Sequence, residues 1–416
     1  MDGEILAAVA AEAPAMTELL AELVAAPTLL GDEAPGQAVM RRAFAGLGLE
    51  PFGVPLDPAA LERHPAGAPF GWDVAGKANV LADWRPAGAA DGRSLILNGH
   101  IDVVSPEPVS LWREDPYGAR VDGEWMYGRG AGDMKAGLAA IVGAVRGLQR
   151  LGLTPRAPVQ LQSVVEEECT GNGALACVLA GHTADAAILT EPTGGAIWNA
   201  QVGVLWFQVR VLGAPAHAGG LDGEGANAIE ASYAVIAALR ELEAELNATR
   251  PPLYADHPHP INLNVGMIRG GDWPSTVAGE CLTHCRLALY PGEHVETLRA
   301  RVEQTVAAVG HRTEVRYEGF QCQGYELDPD APLVTGLAAA AARVTRSAPP
   351  LFASTATTDA RTFQLHGDTP AVCFGPVSEG EHGIDERVHL PSVTRTAQAI
   401  ALFIADWCGV SDAPSA

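Results

Sequence analysis

Hydrophobic and polar positions follow two textures along this chain, and the switch between them marks its organisation. Within Lys77 to Thr193, short apolar runs alternate with helical patterns. Asn79 to Asp83, Ser94 to Leu97, Val159 to Val165 and Ala186 to Leu189 read as strands. The pattern after Lys135 has helical spacing and stops at Gly152, as a C-terminal glycine would make it. Short apolar strands between helices predict an α/β sheet with covered faces. The texture returns late, with a helix over Leu333 to Val344, a strand over Thr369 to Phe374 and an amphipathic helix over Val393 to Trp407.

The middle of the chain differs. Val204 to Leu212 alternates with period two, Ala226 to Leu246 is a long Ala/Glu/Leu helix, and Ile261 to Ile268 and Cys281 to Leu289 are strands. Pro291-Gly292-Glu293 opens a second helix ending near Gly310, and Thr313 to Tyr317 is another strand. The order β-α-β-β-α-β suits a small ferredoxin-like sheet with both helices on one face. The expected architecture is α/β, with a mostly parallel mixed sheet over 1–201 and 318–416. An α+β domain over 202–317 interrupts it. Pro108 to Gly118 and Leu351 to Thr358 read as loops.

Composition narrows the function. A chain of 416 residues is long for a single core, which agrees with two domains. Its 48% hydrophobic content contains no apolar run of the roughly 18 residues that a membrane span needs. Met1-Asp2-Gly3-Glu4 reads as an acidic helix start, so no secretory signal is expected. A net charge of −23 with no basic stripe excludes nucleic acid as a partner. Seven scattered cysteines, an odd number, predict free thiols and a cytoplasmic location. Cys281, His284 and Cys285 lie in a strand-like stretch with no second ligand pair, and read as core positions.

The candidate chemistry gathers where open α/β sheets put their sites, past the carboxyl ends of strands. Asn98-Gly99-His100-Ile101-Asp102 follows one strand, and Arg129-Gly130-Ala131-Gly132-Asp133-Met134-Lys135 opens a helix. A strand-ending His and a loop-ending carboxylate in glycine-rich surroundings suit a divalent metal. Glu166-Glu167-Glu168 follows Val165, Glu191 follows Thr190, and His382 lies in the loop after the last strand. Three adjacent acids raise one another's pKa, a cost that nearby metal ions would resolve. One carboxylate would then bind metal while its neighbour handles protons. The residues alone do not choose between Glu166 and Glu167 for that proton role.

Taken together, these blocks resemble the zinc-dependent amidohydrolase family of acetylornithine deacetylase, succinyl-diaminopimelate desuccinylase, aminoacylase and carboxypeptidase G. The likeness runs through Gly99-His100-x-Asp102-Val103-Val104, Tyr127-Gly128-Arg129-Gly130-x-x-Asp133-Met134-Lys135, Glu167-Glu168-x-x-Gly171-x-Gly173 and Glu191-Pro192-Thr193. It continues at Gly213-x-x-x-His217-x-Gly219, Thr358-Asp359-Ala360-Arg361 and the His382 loop. The resemblance implies two zinc ions, with cobalt or manganese as substitutes. It implies that His100 binds one and His382 the other, that Asp133 bridges them, and that Glu168 and Glu191 complete the set. Asp102 would orient the His100 ring. Glu167 would be the general base, taking a proton from water and delivering it to the leaving amine.

His217 taken alone reads as an exposed or structural histidine. By resemblance it would steady the oxyanion, typically from the neighbouring subunit of a homodimer built through the inserted domain. Arg286 and Arg361 would grip a substrate carboxylate, with Thr358 and Asp359 lining the pocket. The inserted domain departs from the family at Gly271 to Ala278, where relatives carry an Asn-x-Val-Pro type sequence. His284 likewise stands where an Asp often precedes the arginine by two. Both departures touch substrate contacts. The expected activity is hydrolysis of a small N-acylated amino acid or related amide, of deacetylase or desuccinylase type. The alternatives are a metallo-carboxypeptidase or dipeptidase using the same centre, and a non-catalytic metal-dependent binding protein.

Overall fold

The computed structural model describes residues 1–85, 91–220 and 225–412. Its largest element is a nine-stranded mixed sheet. Leu95–His100 lies near the centre and is buried at every position. It pairs in parallel with Val159–Val164 on one side and Ala187–Leu189 on the other. Ala371–Cys373 continues the parallel run, while Phe52–Pro55, Ala78–Trp84 and Tyr325–Glu326 add antiparallel pairs. Strands buried on both faces can read as continuous apolar runs, as Leu95-Ile96-Leu97 and Ala187–Leu189 do, whereas Val159–Val164 carries Gln160, Gln162 and Ser163 among its apolar residues.

Helices cover both faces. Ala136–Arg150 buries twelve of its fifteen residues against Leu390–Trp407 and the N-terminal helices Asp2–Ala10 and Ala13–Ala25. Val80 and Ala82 belong to that core, whereas Leu81 between them packs with Cys177 of helix Asn172–Leu179. Alternation along one strand thus feeds two cores. Leu351–Thr358, expected as a loop, begins with a strand. Leu351–Ser354 pairs in parallel with Ile197–Gln201. Its pairing is carried by backbone at a partly exposed edge, so its side chains show no period.

Residues 203–316 build a separate sheet in the order Leu263–Gly270, Glu280–Leu289, Gly203–Leu212, Arg312–Arg316, every neighbour antiparallel. Leu205, Phe207, Val209 and Val211 face inward and share a hydrophobic cluster with Leu239, Leu246, Val302 and Val306. These last come from helices Ala228–Ala248 and Val295–Ala308. Trp206 and Gln208 alternate onto the other face of the strand. Among the described residues no helix is long and apolar enough to cross a membrane.

Candidate active site

His100 ends its strand with both ring nitrogens engaged. Nδ1 lies 2.9 Å from the carbonyl oxygen of Asp102, and Nε2 lies 3.1 Å from Oδ1 of Asp133. With Nδ1 donating to the carbonyl, Nε2 is the ring nitrogen directed at Asp133 and left to serve as a metal donor. The Asp102 carboxylate itself turns elsewhere. It accepts the backbone N–H groups of Glu167, at 3.2 Å, and Glu168, at 3.0 Å. Orientation of the His100 ring therefore comes from the Asp102 backbone, and its carboxylate fixes the two glutamates.

Asp133 stands between the histidines. Its Oδ2 is 3.4 Å from Nε2 of His382, which also lies 3.0 Å from Oε2 of Glu168. Glu191 and Glu167 approach the other histidine, at 3.8 and 3.9 Å from His100 Nε2. Donor atoms of His100, Asp133 and Glu168 all lie within 4.8 Å of one another. Glu167 Oε1, Glu168 Oε1 and Glu191 Oε1 are buried and find no hydrogen-bond partner among the described residues. Orphaned carboxylate oxygens are costly, and a divalent cation is the partner that satisfies several at once. The donor set of imidazole and carboxylate fits such an ion.

The electrostatics agree. Burial pushes Glu167 well above the usual carboxylate range, with Glu191, Asp359 and Glu168 adding to the rise against His100. Glu191 is pushed up to about 8, again mainly by burial. Burial alone would lower His382, yet its contacts with Asp133 and Glu168 carry it up to about 11. Asp133 is held well below its ordinary value, since its two histidines outweigh the burial that would raise it.

Two supports were not legible in the sequence. Glu386, fully buried, accepts N–H groups from Gly130, Gly132 and Asp133 at 2.9–3.1 Å and pairs with Arg129. It locks the Asp133 segment to the His382 loop. Its neighbours Asp385 and Arg387 give it the look of a solvated turn. The second support is a buried trio in which Lys77 Nζ meets Glu33, at 2.8 Å, and Glu166, at 3.0 Å. Glu166 also takes the Trp72 indole N–H and the Thr170 hydroxyl, both at 2.9 Å, so this acid is engaged away from the donor cluster.

A cavity of about 850 Å³ opens onto Asp133, Glu167, Glu168, Glu191 and His382. Arg286 and Thr358 line it as well. Asp359 and Arg361 do not. Both are buried behind it, with Arg361 donating to the carbonyls of Thr358 and Thr170. His217 is exposed on the inserted segment, away from the cavity lining, where its Nδ1 accepts the Gly219 N–H at 3.0 Å.

A fold that brings two histidines and several carboxylates to the strand ends defines a class, metal-dependent hydrolases. The comparisons make it specific: the model described as Peptidase family M20/M25/M40 matches residues 96–406, and this chain belongs to that family. It is a hydrolase of amide bonds, and the family implies use of a divalent metal. The N-formyl-4-amino-5-aminomethyl-2-methylpyrimidine deformylase of Bacillus subtilis is 29% identical over 366 residues, 81% of this chain and 85% of that protein. The succinyl-diaminopimelate desuccinylase of Dinoroseobacter shibae is 29% identical over 80% of this chain and 88% of its own length. Human carnosine dipeptidase 1 shares the fold, with a TM-score of 0.78, 16% identity, and coverage of 98% of this chain and 100% of that one.

Proposed function

We propose that this protein removes a small acyl group from an N-acylated amino acid or related amide, with Glu167 as general base and two zinc ions as cofactors. Cobalt or manganese would serve as substitutes. One observation carries the reading: His100 and His382 converge on the two oxygens of Asp133, with Glu167 buried alongside. His100 and Glu191 would hold one ion, His382 and Glu168 the other, and Asp133 both. Ions bound there supply Lewis acidity toward the carbonyl and make water a stronger nucleophile. The relatives named deformylase, desuccinylase and deacetylase support removal of a short acyl group.

The chain's own residues then divide the reaction. As water adds to the carbonyl carbon, Glu167 takes its proton. Glu167, buried beside the donor cluster, would hold that proton before passing it to the leaving nitrogen. Asp102 keeps Glu167 in place through its backbone N–H. Arg286 offers a cation to a substrate carboxylate, Thr358 shapes the wall beside it, and Asp359 and Arg361 brace that wall from behind. Residues 1–201 and 318–416 form the catalytic domain in this reading. Residues 202–317, a ferredoxin-like unit, act as lid and dimerisation domain. His217 would then reach the oxyanion of a neighbouring subunit in the cytoplasmic homodimer. Dipeptidase or carboxypeptidase activity is the second reading, favoured by a cavity roomy enough for a dipeptide.

The test is amine release from N-formyl, N-acetyl and N-succinyl amides and from dipeptides, by metal-loaded protein and by Glu167→Gln. The variant should keep its metal and lose turnover by roughly 10²–10⁴-fold, the scale of a lost general base. Full activity in that variant would remove Glu167 from the role.

A further inference from the structure

Three consecutive acids leave one strand and meet three different sets of partners. Glu167 Oε2 stands 3.9 Å from Nε2 of His100, and Glu168 Oε2 stands 3.0 Å from Nε2 of His382. Glu166 is taken up by Lys77, Trp72 and Thr170. The chain breaks from strand geometry at Glu166, whose φ is +62°, in the left-handed region. A residue with a Cβ is strained there, so its surroundings must hold it.

The Glu166 side chain supplies that hold. It is fully buried. Oε1 accepts from Lys77 Nζ at 3.0 Å and from the Trp72 indole N–H at 2.9 Å, and Oε2 accepts from the Thr170 hydroxyl at 2.9 Å. The Glu166 carbonyl takes the N–H groups of Thr170 and Gly171, at 3.1 and 2.8 Å. Lys77 is fixed in turn. It directly precedes strand Ala78–Trp84 and pairs with Glu33, which precedes helix Ala34–Ala45. Glycine would adopt the turn freely, as Gly171 does five residues later at a φ of +72°. An acid at position 166 therefore brings strain that glycine would avoid, and what it adds is the anchor.

We propose that Glu166 and Lys77 are positioning residues for the reaction, their buried pair holding the left-handed turn that sends Glu167 to the His100 side of Asp133 and Glu168 to the His382 side. This rests on the reading of Glu167 as general base. Adjacent residues can serve two such different partners only where the backbone between them is fixed. Asp102 fixes it through the N–H groups of Glu167 and Glu168, and Glu166 fixes it from the strand side. Neither Lys77 nor Glu166 touches the reacting atoms. Their effect on turnover passes through the aim of the two glutamates that follow.

The test sets Glu166→Gly beside Val9→Ala, a core variant on helix Asp2–Ala10. Melting, zinc content, the visible spectrum of cobalt-loaded protein, and kcat and KM for amide cleavage are measured on each. Glycine removes the anchor without straining the turn. Glu166→Gly should keep its zinc and lose kcat by about 10²-fold, the scale of a misplaced catalytic group, with KM little changed. Its cobalt spectrum should shift, because Glu168 would approach the ion differently. Val9→Ala should lower the melting temperature yet leave kcat and the spectrum as they are. The triple variant Glu33→Gln, Lys77→Met, Glu166→Gln buries no unpaired charge and should melt close to the wild type. It should still lose kcat, by about tenfold, since Trp72 and Thr170 remain as partners. Unchanged kcat in Glu166→Gly overturns the proposal, and an unchanged spectrum removes Glu168 from it. Unchanged kcat in the triple variant removes Lys77. A wild type silent on every amide overturns the hydrolase reading instead. The spectrum then decides alone, and one identical in Glu166→Gly and the wild type overturns the positioning role.

Discussion

Asp102 serves two neighbours at once, its carbonyl taking the His100 ring and its carboxylate the backbone of Glu167 and Glu168. One residue thus sets the separation between a histidine donor and the acids facing it. Around it, the side chains of the cluster carry protons that a metal must displace. Burial lifts Glu191 to about 8 and Glu167 well above its ordinary value, and neighbouring carboxylates lift His382 to about 11 against the opposing effect of burial. Metal ligands must be ionised carboxylates and neutral imidazoles, so uptake releases protons, and affinity should rise as pH climbs through the region near 8. Calorimetry of zinc binding in two buffers of different ionisation heat would measure the release. Uptake without proton release would contradict it.

At the scale of elements, helix Ala136–Arg150 and strand Ala187–Leu189 approach so closely that a Cβ on Gly137 would fall 2.1 Å from the carbonyl oxygen of Thr190. Asp133 precedes that helix and Glu191 follows that strand, so the contact sets their spacing. Gly137→Ala should destabilise the protein by about 1–3 kcal/mol, the usual cost of overpacking. It should weaken metal binding at the same time. Gly3→Ala, where a Cβ meets nothing within 4 Å, should leave metal affinity unchanged and should not lower the melting temperature, since alanine is the better helix former. Elements of this kind were largely legible. Strands such as Ala187–Leu189 are uninterrupted apolar runs, and the helix after Lys135 has a clear period and a glycine stop. The acids at strand ends were legible too, because clustered like charge has no cheap structural reason. Glu386 was hidden because only long-range backbone contacts reveal that it is buried. Leu351–Ser354 was hidden because an edge strand needs no pattern of its own. The Asp359–Arg361 block was readable as a motif, while its place behind the cavity depends on how helix Ala360–His366 is tucked in.

For the whole molecule, the position of His217 matters most. It is exposed, on a segment whose backbone bridges to Thr276, and in the proposed homodimer it would meet the oxyanion of the neighbouring subunit. His217→Ala and Glu167→Gln should each be inactive alone. Mixed under conditions that exchange subunits, they should recover activity if the proposed homodimer forms, because each hybrid would hold one site with both residues intact. No recovery in verified hybrids would place His217 outside the reaction.

The contact between Glu386 and the Gly132 backbone joins residues 254 positions apart. During synthesis the first of these emerges long before the second. A nascent chain halted before residue 380 would hold Asp133 with neither the Glu386 lock nor His382, and the proposed metal centre could not be completed on it. Such long-range closures come late and slowly in folding. Loading with metal then marks a finished chain: it reports that translation reached the C-terminal region and that the last strands found their place.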